Sequence, residues 1–200
     1  MRLACILLLA LVATGLLSAQ EYFPPGILGK TQQEHESRVA WYSRQLKALR
    51  EQSLWELAQK DPKAEVYRFL WLRSVGRPVA VRIVVRAGGS GWINSRMTTG
   101  QGAYDPGHIT RYGMSWLRKS LTQSFLAAIG STNFWKMPTL LGTDSGASPS
   151  QSAQWIIEGV KDGQYHAVDR WSPAPDDPYR AVGLLALKLS RTKVRPADIY

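Results

Sequence analysis

Residues 79–86 alternate strictly, with Val79, Val81, Ile83 and Val85 set against Ala80, Arg82, Val84 and Arg86. They follow a run from Glu65 to Ser74 crowded with Val66, Tyr67, Phe69, Leu70, Trp71 and Leu72. A period of two in branched and aromatic residues is the signature of strands, so the two segments read as neighbours in a sheet, the second with an arginine-bearing face. The turn Ala87-Gly88-Gly89-Ser90-Gly91 then leads into a third strand from Trp92 to Thr98. A glycine run after a strand can cradle phosphate. That device needs a helix N-terminus directly behind it, whereas Trp92-Ile93 continues the strand pattern, so a hairpin turn is the simpler reading. Tyr104-Asp105-Pro106-Gly107 is turn chemistry, and His108 to Met114 forms a weaker fourth strand.

Helices flank this sheet in sequence. Thr31-Gln32-Gln33-Glu34 is a capping box, and Val39, Tyr42, Leu46 and Leu49 follow at helical spacing, which predicts a helix from about 32 to 51. Ser53-Leu54-Trp55-Glu56 is a second capping box before the stop at Asp61-Pro62. This arm reads either as a partner-binding amphipathic helix or as a helix packed on its own sheet. Leu117, Leu121, Phe125 and Ala128 make a middle helix that ends at Gly130. Asp177-Pro178 opens a C-terminal helix whose Tyr179, Val182, Leu185, Ala186 and Leu189 face inward. Residues 142–153 have nothing to bury and read as a flexible loop, and residues 191–200 as a basic, loosely held tail.

Trp155–Val160 and Gln164–Trp171 read as a hairpin around Lys161-Asp162-Gly163. A three-residue loop would pair Val160 with Gln164, placing Trp155, Ile157, Tyr165, Ala167 and Trp171 on one face and Glu158, His166 and Arg170 on the other. A two-residue loop would set Trp155 beside Arg170, so the longer loop is the expectation. The fold predicted is α+β. One antiparallel sheet of five or six strands carries an N-terminal, a middle and a C-terminal helix packed mainly on one face, in a single domain over 20–200.

Residues 1–19 have the parts of a secretory signal peptide: Arg2, an apolar run from Leu3 to Leu17, and the small residues Ser18 and Ala19. Cleavage after Ala19 and release into the periplasm or medium is the expectation, with an uncleaved anchor as the rival. Cleavage removes Cys5, the one cysteine, and with it any disulfide, thiolate nucleophile or thiolate metal site. It also removes Arg2, leaving 24 Lys and Arg against 15 Asp and Glu, a basic chain suited to anionic partners.

Catalytic motifs are sparse. Ser145 in Gly142-Thr143-Asp144-Ser145-Gly146 stands one place too late for a nucleophile elbow, and His35, His108 and His166 have no ligand spacing, so neither a metal nor another cofactor is expected. In the preferred register Glu158 faces His166, a carboxylate beside an imidazole that suits acid/base work in a hydrolase-like enzyme or, more plainly, a solvated ion pair. Arg82, Arg86, Arg170 and His166 are the candidate binding residues on the same face. Among the eight tryptophans, Trp71, Trp155 and Trp171 fit the core, and Trp92 and Trp135 are the candidates for exposure.

The strings Phe134-Trp135-x-x-Pro138, Trp155-x-x-Glu158-Gly159 and Gly163-x-Tyr165-His166-x-Val168-x-Arg170-Trp171-x-Pro173 resemble a pattern in a set of exported bacterial proteins of unknown function. The resemblance implies a bacterial, extracytoplasmic setting and transfers no site. The functional expectation is a non-catalytic binding domain whose basic sheet face takes anionic envelope material or an acidic protein; nucleic acid is not expected as a partner. The hydrolase-like enzyme with His166 and Glu158 is the alternative.

Overall fold

The computed structural model describes residues 20–102, 104–141 and 152–200, so the expected signal peptide at 1–19 and most of the expected loop at 142–153 lie outside the described residues. Two helices, α1 (Gln32–Ala48) and α2 (Leu54–Lys60), precede a meander of four strands, β1 (Glu65–Arg73), β2 (Val79–Val85), β3 (Gly91–Thr98) and β4 (Ile109–Leu117). Helix α3 (Lys119–Ser131) and a 3-10 turn at Phe134–Lys136 lead to the hairpin β5 (Ala153–Lys161) and β6 (Gln164–Trp171). Helix α4 (Pro178–Leu189) follows, and then a 3-10 turn at Pro196–Asp198. The expected α+β class holds, with a single six-stranded antiparallel sheet in the order β4-β3-β2-β1-β5-β6. None of the described helices is long and apolar enough to cross a membrane.

The caps form as the sequence reads. The Thr31 hydroxyl accepts from Glu34 N–H at 3.2 Å while the Glu34 carboxylate accepts from Lys30 N–H at 2.9 Å. Ser53 caps α2 through Glu56 N–H, and Asp177 caps α4 through Tyr179 N–H with Pro178 in the first turn.

Strand β1 is buried on both faces, which is why its apolar run shows no clean alternation. Tyr67, Phe69 and Trp71 meet Phe125 of α3 and Tyr179, Val182 and Ala186 of α4 in the larger core. Leu70 and Leu72, on the other face, meet Tyr42 and Leu46 of α1, its C-cap Leu49, and the preceding segment at Tyr22 and Phe23. Val66 and Val160 extend that second face under Leu54 and Ala58 of α2. Middle and C-terminal helices therefore share one face, as expected, but the N-terminal arm covers the opposite one. A strand apolar on both sides demands two covers, and the arm supplies the second.

The hairpin differs from the expected register. Lys161 pairs with Gln164 around a two-residue loop, and both Asp162 (φ 51°) and Gly163 (φ 71°) are left-handed, the conformation a tight type I′ turn requires. Turn geometry decides the register. The pairing of Trp155 with Arg170 carries no penalty, because the Trp155 ring packs on Phe69 and Trp71 while the Arg170 guanidinium reaches the carbonyls of Pro138, Thr139 and Asp169 at 2.8–3.0 Å.

The C-terminal tail is also held more firmly than its composition suggests. Arg180 donates to the Ile199 carbonyl at 2.9 Å and the Trp155 indole donates to the Tyr200 carbonyl at 3.1 Å. Val194, Ile199 and Tyr200 pack against the larger core.

Candidate functional site

The shifted register separates the pair expected to work together. Glu158 lies opposite Ala167, and His166 lies opposite Gly159 on the other side of the sheet. His166 is half-buried against the rings of Phe134 and Trp135, and burial lowers its pKa, favouring the neutral imidazole. Arg170 is buried and spent on backbone carbonyls, a clamp for the segment after α3.

Glu158 belongs instead to a buried charge network beneath the arm. Arg68 of β1 is fully buried and forms a two-point pair with Glu158, Nε and Nη2 donating at 2.7 Å each, and the Tyr165 hydroxyl donates to the same carboxylate at 2.9 Å. Burial pushes the Glu158 carboxyl upward and Arg68 pulls it back. The second carboxylate comes from Glu51, which stands 3.7 Å from Arg68, 3.2 Å from Arg82 and 3.3 Å from Arg96.

Local backbone explains how Glu51 gets there. Helix α1 ends in a Schellman motif: Glu51 N–H bonds the Leu46 carbonyl, Arg50 N–H bonds the Lys47 carbonyl, and Arg50 itself is left-handed at φ 53°. The turn drops Glu51 onto the sheet. Three guanidiniums against two carboxylates leave one excess positive charge, which is met by the negative end of α1, since Arg96 also donates to the carbonyls of Leu49 and Arg50. Arg82 is thus tied to Glu51 and half-buried rather than offered to solvent.

A second buried polar group sits under the first half of α1. Asp169 Oδ2 accepts from the Tyr42 hydroxyl at 2.8 Å and from Arg38 at 3.1 Å, and the Gln154 amide donates to Tyr42 at 2.7 Å. Burial raises the Asp169 pKa to about 6 despite these donors.

Of the expected binding residues, Arg86 alone stays fully open, and it borders a surface that the sequence did not single out. The arm covers β1, β5 and part of β2, but its cores include no residue of β3 or β4. On the same side of the sheet, Tyr112, Met114 and Trp116 stand in a row along β4, exposed by 55%, 59% and 47%, with Trp92 of β3 edge-on to Trp116 at 5.1 Å. The Arg86 guanidinium lies 5.9 Å from the Trp116 ring and that of Arg96 5.5 Å from Tyr112. Strand β4 is the sheet edge, bonded to β3 along one side only. Charge is lopsided here: residues 79–119 hold Arg82, Arg86, Arg96, Arg111, Arg118 and Lys119 against the single acid Asp105.

Trp92 was legible as an exposed ring. Trp135 proves half-buried, and Trp116 was hidden because Leu117 reads as the start of a helix, which obscures the last turn of pleat before it. No group of three His, Cys, Asp or Glu among the described residues could hold a metal ion. Comparison with protein-family models and with curated proteins gives no match.

Proposed function

We propose that this is a non-catalytic interaction domain, working outside the cytoplasm in keeping with its N-terminal segment, that holds an extended acidic segment of a protein partner along the edge of β4. The observation that carries this reading is the row Tyr112, Met114 and Trp116 on an edge strand flanked by Arg86 and Arg96. Trp, Tyr, Met and Arg are the residues that concentrate at the centres of protein interfaces. A long edge strand with apolar side chains is a template for strand addition, which natural chains avoid unless the edge is used. Charge decides the occupant. Arg82 and Arg96 are already met by Glu51, but the exposed Arg86, Arg111, Arg118 and Lys119 against the single acid Asp105 disfavour a second copy of this surface and favour a segment rich in Asp and Glu. An anionic envelope polymer would gain from the charge but would leave the free hydrogen-bonding edge unused.

The test uses an alternating Val-Glu peptide, heparin and phosphatidylglycerol vesicles as probes. The peptide is expected to bind in a salt-sensitive way and to lose at least about tenfold in affinity with Met114→Glu or Arg86→Glu, both exposed positions. Binding of heparin or vesicles without the peptide, or peptide binding that ignores both substitutions, overturns the reading.

A further inference from the structure

A cleft on the opposite flank of the molecule has a different chemistry. It lies between the first half of α1 and the start of the β5–β6 ladder, has a volume of about 540 Å³, and is walled by Glu34, Ser37, Arg38, Trp41, Gln154 and Trp171. That volume falls within the roughly 300–1,000 Å³ of small-molecule sites. We propose that this cleft binds a neutral, hydroxyl-rich pyranose saccharide.

Two indoles carry the first part of the argument. Trp171, expected in the core, is instead 41% exposed and lines the cleft. Trp41 faces the same space and cannot swing freely, because its N–H donates to the Gly102 carbonyl at 2.9 Å and its ring leans on Tyr42 at 4.9 Å. Fixed indole faces suit the C–H faces of a sugar ring, which are apolar while the ring's rim is polar.

The polar groups carry the second part. Gln154 spends its amide N–H groups on Tyr42 and Asp169, which fixes the side chain, and its Oε1 is buried without a protein donor. Hydroxyls both donate and accept, so one ligand class can serve the Glu34 carboxylate, the Arg38 guanidinium and the Ser37 hydroxyl together above the fixed Gln154.

Charge excludes the nearest rival. Arg38 is neutralised from below by Asp169 at 3.1 Å, and Glu34 adds a negative charge at the rim, so an acidic sugar or a phosphate gains nothing here. This cleft and the β4 edge therefore select opposite kinds of ligand and fail independently.

The experiment titrates the full chain with maltose, cellobiose, mannobiose and diacetylchitobiose, and with digalacturonate as the anionic control, following tryptophan fluorescence and heat. At least one neutral disaccharide is expected to bind at millimolar or lower concentration. Trp171→Ala should weaken it at least about tenfold, as should Ser37→Trp, which fills the cleft from an exposed helix position without touching a core. Met114→Glu on the far edge should leave it unchanged. If no neutral disaccharide binds, if digalacturonate binds better, or if Ser37→Trp leaves the affinity intact while the fold is native by circular dichroism, the proposal fails.

Discussion

Replacing Asp169 by Asn should remove one defined component of the pH dependence of stability over the mildly acidic range. Burial holds the Asp169 pKa at about 6 against an ordinary 3.8, so the folded state keeps this proton more tightly than the unfolded chain does. A raised carboxyl pKa contributes stability in full below the unfolded value and loses it as pH climbs through the folded one. A shift of about two units at about 1.4 kcal/mol each sets the loss at about 3 kcal/mol between about pH 4 and about pH 7. Asn keeps an oxygen for Tyr42 and Arg38 and places its amide where Oδ1 has no partner. Urea titrations of both proteins across that range give the answer directly. The stability of Asp169→Asn relative to the native chain should rise with pH by about 3 kcal/mol. The comparison also cancels the shift of Glu158, which both proteins share. A relative stability that stays flat, or falls as pH increases, would refute the assignment of this titration to Asp169.

Three other substitutions probe the frame around the sites. Arg68→Met strands Glu158 in the interior and should cost about 3–5 kcal/mol by urea unfolding, whereas Arg68→Met with Glu158→Leu should recover most of it; a double variant as weak as the single one would contradict the pairing. Arg50→Gly relieves a left-handed arginine at the end of α1 and should raise stability by about 1 kcal/mol, with a lower unfolding midpoint as the contrary result. The Tyr179 hydroxyl lies 2.7 Å from the carbonyls of Trp155 and Val168 and accepts from Ile157 N–H, so Tyr179→Phe should cost about 1–3 kcal/mol and speed amide exchange at Ile157. Unchanged exchange there would place the hydroxyl outside the ladder.

Much of the fold is written in local pattern. The capping boxes at Thr31 and Ser53, the Asp177-Pro178 start and the alternation of β2 place their elements because each signal is complete within a few residues. What local pattern does not carry is which face a strand turns toward which cover. Arg68 reads as a charge interrupting an apolar run, yet its partners are Glu51 and Glu158, brought together by the arm and by the return of β5 beside β1. The Glu158 and His166 pairing failed for a narrower reason. Asp162-Gly163 alone makes the turn, and counting Lys161 into it moves every side chain of one strand to the wrong face. Trp171 misleads in the same way. Its aromatic character suggested the core, but it ends an edge strand where α1 leaves a cleft.

The network that seats Arg68 also has a consequence in time. Its two-point partner lies 90 residues further along the chain, and the Tyr42–Asp169 bond spans 127. Contacts of such separation close late, because loop entropy must be overcome before they return anything. The β1–β4 meander can pair as it is made, but until β5 arrives it holds a buried-type arginine with half its carboxylates missing and an arm that lacks Ile156 and Val160 beneath it. The last quarter of the chain therefore acts as the keystone, and an unfinished copy stays open.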